Sequence, residues 1–172
     1  MKRPVLIAGF LLAVSTGLTF TAFAKEKAVP PAPNGIEIPK DYKNWRLIAP
    51  SYRTDHGSIR AILGNDIAIE AARAGKTSPW PDGAVLAKIV WKERKDEHWE
   101  GAIVPGEFIH AEFMIKGAKK YEKTGGWGYA RWLGTEQKPY GEDAEFVDEC
   151  VACHTPVKSR DYVFTTPAIF PK

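Results

Sequence analysis

Cys150-Val151-Ala152-Cys153-His154 contains both cysteines of the chain, and no other stretch restricts its fold so strongly. Two thiols three residues apart lie on one helical turn. There each can add across a haem vinyl group, and the adjacent imidazole then lies under the iron. This is the pattern of c-type haem attachment. The bland alternative is a pair of reduced cysteines beside an unrelated histidine, or half of a zinc site. Zinc needs two more ligands of suitable spacing, and there is no second cysteine pair.

The amino end has the charge, grease and small-residue order of a secretory signal: Met1-Lys2-Arg3, an apolar run from Pro4 to Ala24, and Ala22-Phe23-Ala24 at its close. Residues 1–24 are expected to be a signal peptide cleaved after Ala24. A membrane anchor is the alternative, since the run is nearly long enough to span. The small-residue site and the polar Lys25-Glu26-Lys27 favour removal. Covalent haem attachment occurs outside the cytoplasm, so signal and motif agree on the compartment, the periplasm of a Gram-negative cell. Of 24 Lys and Arg, Lys2 and Arg3 leave with the signal, so 22 remain against 21 Asp and Glu. That balance argues against nucleic acid or an anionic membrane as partner.

Residues 25–35, rich in proline, read as an extended leader. Residues 36–172 read as one domain, and 44% hydrophobic with 12% aromatic residues suffice for its core. Asp41 to Trp45 fits a helical turn, and Arg46 to Ala49 and Ser58 to Leu63 fit strands. Asn65 or Asp66 can cap a helix over 67–74 that Gly75 ends. The strand from Ala84 to Glu93 holds an anomaly. With a side-chain period of two, Lys88 shares a face with the aliphatic Leu86 and Val90. An amine there is costly unless paired, deprotonated or bonded, or unless it snorkels to water from a strand edge.

Lys92 to Glu100 is a charged run suited to a solvated hairpin. Ile103 to Lys116 is strand-like again, with Phe108, His110, Glu112 and Met114 alternating with the apolar Ile109, Ala111, Phe113 and Ile115. Trp127 to Leu133 is a further strand and residues 137–141 a loop. Acidic Glu142-Asp143 then open a helix through the cysteine motif that Pro156 ends. Tyr162 to Thr165 fits a last strand. The fold class expected is α+β, mainly antiparallel β-sheet with a few short helices. The four long amphipathic helices of a cytochrome c′ are missing from a pattern with 15 Gly, 13 Pro and several period-two runs.

Only 18 residues follow His154, and none is methionine. Met114, the one methionine of the mature chain, or His110 is the candidate sixth ligand; the state expected is an open distal position.

Most of the mature chain resembles the cytochrome P-460 family, related to cytochrome c′-beta. The resemblance is carried by the early Tyr-Lys-Asn-Trp segment, Ser-Ile-Arg, a helix, Asp82 to Lys88, the Glu112 strand, the Trp127 region and the late Cys-x-x-Cys-His. It implies a mainly antiparallel sheet, usually as a homodimer, with one haem c ligated by a histidine and open on its distal side. It also implies a lysine joined to the macrocycle, matched by Lys88, a distal carboxylate as proton relay, matched by Glu112, and a distal arginine, matched by Arg60. Phe108 and Phe113 are the candidates for an aromatic roof, as in the gas-binding branch.

The function implied is oxidation of hydroxylamine to nitric or nitrous oxide, with Glu112 taking protons and a soluble periplasmic protein taking electrons. Burial is expected to raise the Glu112 pKa toward neutrality. The alternatives are a non-enzymatic nitric oxide binder and a plain electron carrier.

Overall fold

Alternating side chains make strands of the marked stretches, and short connections join them in chain order. The computed structural model describes residues 28–171, so the expected signal peptide, residues 1–24, lies outside the described residues. Its strands are β1 (Arg46–Arg53), β2 (Ser58–Gly64), β3 (Val85–Lys95), β4 (Ile103–Lys116), β5 (Trp127–Leu133) and β6 (Lys138–Pro139). They lie side by side in that order, each pair antiparallel, so among the described residues the fold is a six-stranded meander. Helix α1 (Asp66–Arg73) links β2 to β3, and α2 (Val147–His154) carries the cysteine motif. This is the α+β class expected.

Two local expectations differ. The 137–141 loop contains the two-residue β6, and Tyr162 to Thr165 is irregular chain rather than a strand. Asp161 and Tyr162 have φ of 53° and 62°, which breaks the extended path a strand requires. The tail instead shields the sheet edge, where the Ala168 N–H donates to the Ile48 carbonyl at 2.9 Å. Pro50, which cannot donate to a ladder, sits in that same edge strand.

A bulge sets which side chains of β4 face where. Val90 pairs with His110 and Trp91 with Phe108, leaving Ile109 without an opposite number. Phe108 is thereby switched to the face of Trp91, against which its ring packs edge-on at 6.4 Å. The sheet thus has two unlike faces. One buries Ala87, Ile89, Ala111, Phe113, Ala130 and Trp132. Residues 28–36 lie against this face, with Ala32 and Ile36 buried in its core and the Trp132 indole donating to the Pro30 carbonyl at 3.0 Å. The other face meets α1 and α2. Its core joins Ile62, Leu86 and Tyr129 to Ile48, Ile69 and Trp80, with Val147 and Val151 of α2 packed on it.

Helix α1 is closed at both ends. The Asn65 side chain accepts from the Ala68 N–H at 3.0 Å, so Asn65 rather than Asp66 is the cap. The Gly75 N–H donates to the Ala72 carbonyl and the Lys76 N–H to that of Ala71, a Schellman ending that Gly75 permits at φ 67°. Asn65 also accepts from the Val85 N–H at 3.0 Å and donates to the Gly83 carbonyl at 2.8 Å, which ties α1 to the start of β3. Asn65→Ala leaves all three groups unmatched. A loss of about 2 kcal/mol is expected, read as a lower urea midpoint at unchanged slope.

Candidate haem site

The motif helix is held in place by contacts within the protein. Asp143 accepts from the Glu145 N–H at 3.1 Å and opens a 3-10 turn over Ala144–Phe146, from which α2 continues. Asp148 and Glu149 then place negative charge at its first turn. Phe146 packs in the far core, Val151 in the near one and Cys150 against both, so the chain rounds the sheet edge here and brings His154 beside Tyr129 on the near face. Helix α2 ends at His154, as expected ahead of Pro156, and 3-10 turns with a kink at Val157 follow over Thr155–Arg160.

His154 is fixed in orientation. Its Nδ1–H donates to the Tyr162 carbonyl at 2.6 Å, and its ring lies 5.4 Å from that of Tyr129 and 5.3 Å from that of Phe164. A carbonyl only accepts, so Nδ1 carries the proton and Nε2 keeps its lone pair. Burial lowers the His154 pKa against the opposing pull of that carbonyl, which favours the neutral, ligating form. Cys150 is half-buried and Cys153 exposed, both as free thiols. Burial pushes the Cys150 thiol up to about 11, which removes it from the class of activated nucleophiles.

Facing this helix is a row of charge across three strands. Lys88 is opposite Glu112, and Glu112 is opposite Arg131. The Lys88 ammonium is ion-paired with Glu112 Oε2; Arg131 Nε lies 2.6 Å and His110 Nε2 3.3 Å from Oε1. The Lys88 side chain is 32% exposed and that of Glu112 only 16%. Arg131 is also sandwiched against the Tyr140 ring at 4.5 Å, and Tyr140 donates to Glu149 of α2 at 2.9 Å. Arg60 stands diagonally beyond Lys88, opposite Val90 and on the same face. Burial lowers its pKa, with Arg53 adding to the effect.

The structure therefore gathers Lys88, Glu112 and Arg60 on the face that meets His154 and Cys150. Two expectations fail there. Burial alone would raise Glu112, but the charges of Lys88 and then Arg131 outweigh it and hold the carboxyl below its ordinary value. Phe108 and Phe113 cannot roof this face: the β4 bulge turns Phe108 away, and Phe113, 1% exposed, is in the opposite core. Met114 is packed in the near core, opposite Leu86 and Tyr129. Sequence reasoning missed Arg131 and Tyr129. Reading β5 in register with β4 finds both, since alternation puts them on the Glu112 face.

These residues fit a haem. One helical turn offers two free thiols and a neutral imidazole with a lone pair at Nε2. The buried Tyr129 hydroxyl and Arg60 Nε, both on the same face, have no partner among the described residues. An antiparallel sheet whose charged face meets such a helix suits a haem-binding cytochrome. The cytochrome P460 family model matches residues 39–165, so the chain belongs to the cytochrome P460 family. No curated protein is similar enough to match it.

The charge cluster leaves a signature in stability. Burial, reinforced by Arg131, Lys88 and Arg60, lowers the His110 pKa from 6.5 to about 4 against the pull of Glu112. Between those values the unfolded chain takes up a proton that folded His110 does not. Stability should fall as pH drops through this window, by at most about 1.4 kcal/mol per unit from this group. His110→Gln removes that component, so urea unfolding at about pH 7 and about pH 5 should show a smaller difference in the variant.

Proposed function

We propose that the protein is a periplasmic c-type cytochrome that oxidises hydroxylamine to nitric or nitrous oxide. One haem is attached through Cys150 and Cys153 and ligated by Nε2 of His154. The observation that carries this reading is the pairing of Lys88 with Glu112 on the half-buried face that meets His154. An amine and a carboxylate placed together there are a covalent attachment point and a proton acceptor. Membership of the cytochrome P460 family supports the haem cytochrome. The resemblance noted above supports the finer roles.

Held by Cys150, Cys153 and His154, the haem would supply an iron able to take a small nitrogen ligand and to pass electrons to a soluble periplasmic acceptor. The side chains manage the protons. Glu112 is ionised while Lys88 is an ammonium. Were Lys88 bonded to the haem and uncharged, Glu112 would lose the largest of the charges that hold its carboxyl down, and burial would be opposed chiefly by Arg131. Arg131 keeps the carboxylate oriented. Neutral His110, beside Oε1, can pass a proton outward. Arg60 adds positive charge at the edge of the cluster. The competing reading, a nitric oxide binder roofed by Phe108 and Phe113, has both rings on the wrong face.

In the purified holoprotein, a peptide containing Lys88 should travel with the haem peptide of residues 150–154, and the reduced bands should lie far to the red of ordinary c-type haem. Ordinary bands with a free Lys88 would replace this reading by nitric oxide binding. Lys88→Leu should abolish both the shifted spectrum and oxidation. Glu112→Gln should keep the haem and lower turnover by about 10²- to 10⁴-fold, measured under saturating hydroxylamine.

A further inference from the structure

The proton on His154 Nδ1 is held by one carbonyl, and the chain around that carbonyl is anchored more heavily than a loop requires. Asp161 and Tyr162 are consecutive non-glycine residues with positive φ, a conformation that persists only where surroundings impose it. Here they do. Asp161 Oδ1 is ion-paired at 2.7 Å with Lys116, a lysine at the end of β4 that is only 7% exposed. Asp161 Oδ2 accepts from the Trp80 N–H at 2.8 Å, and its carbonyl accepts from the Trp127 indole at 2.8 Å. The Lys116 ammonium also lies over the Trp127 ring, 4.9 Å from its centre. The Tyr162 ring fits against Gly125, where a Cβ would come within 2.4 Å of it. A buried ion pair is a poor source of net stability, since desolvation offsets the attraction, so its placement asks for another reason.

We propose that the Lys116–Asp161 ion pair is a positioning device for the proximal ligand: by fixing the 161–162 backbone it aims the Tyr162 carbonyl at His154 Nδ1. This rests on the reading of His154 as the haem ligand. A fixed acceptor at Nδ1 sets the plane of the imidazole and increases electron donation through Nε2, which strengthens the iron bond and favours the oxidised iron. Lys116 and Asp161 are positioning residues that act through the carbonyl.

The test uses the haem-loaded protein. Asp161→Asn tolerates the left-handed backbone and keeps an oxygen for the Trp80 N–H, so it removes only the charge pairing. In Asp161→Asn and in Lys116→Met, the iron–histidine stretching band of the reduced protein should move to lower frequency and the reduction potential should rise. Lys116→Arg should return both toward the wild-type values. If Lys116→Met does not fold, the double variant K116M/D161N, which leaves no unpaired charge, should show the same two shifts. Wild-type band and potential in the folded variants, with only a lower unfolding midpoint, would make the pair merely structural and overturn the proposal. A band unchanged in His154→Gly would show instead that His154 is not the ligand, a separate failure that removes the haem assignment and this inference with it.

Discussion

Glu112 is the residue whose placement the site depends on, because a carboxylate that is five-sixths withdrawn from water must be compensated or neutralised. The sheet compensates it with partners from three strands: Lys88 on β3, His110 on its own strand and Arg131 on β5. None of these is a sequence neighbour closer than two residues. The compensation therefore exists only when β3, β4 and β5 are paired in this register, and a slip of one residue on any of them would send its charge to the other face. Positive charge exceeds negative in the cluster, with Lys88, Arg131 and Arg60 set against Glu112.

The opposite face makes such a polar arrangement tolerable. Its core of Phe113, Trp132, Ala87, Ile89 and Ala111, closed by Tyr42, Phe146 and the segment around Ala32, is apolar throughout. Phe113 packs edge-on with both Tyr42 and Trp132, at 5.1 and 5.5 Å. With one face devoted to burial, the other can carry charge, a helix with free thiols and polar groups without protein partners. The β4 bulge sharpens this division, since it moves Phe108 to the apolar side and keeps His110 on the polar one.

The two ends of the site are stiffened by different means. On the sheet side, Arg131 is pinned between Glu112 and Tyr140, and Tyr140 reaches Glu149 on the motif helix. On the far side of the helix, the tail returns through Asp161 and Tyr162 to hold His154, and then runs on to cover β1. Motif, charge cluster and tail thus form one connected unit although they are distant in sequence.

By itself the sequence determined the elements that depend on local pattern. The cysteine–histidine spacing, the period-two runs of β2 to β5 and a helix capped at Asn65 or Asp66 with its Gly75 ending all follow from short-range chemistry. The face assignment of Lys88 followed in the same way, and with it the anomaly that marked the residue. What depends on pairing between strands was out of reach. The β4 bulge, invisible to alternation, moved Phe108 off the site. The Glu112 pKa went down rather than up because burial was visible in the pattern while the charges opposing it came from β3 and β5. The tail gave up its expected strand because the backbone at Asp161 and Tyr162 is bent to serve His154, which only the folded chain brings within reach. Local pattern decides what each segment becomes, but a charge, a bulge or a carbonyl takes its role from the partner that tertiary structure sets beside it.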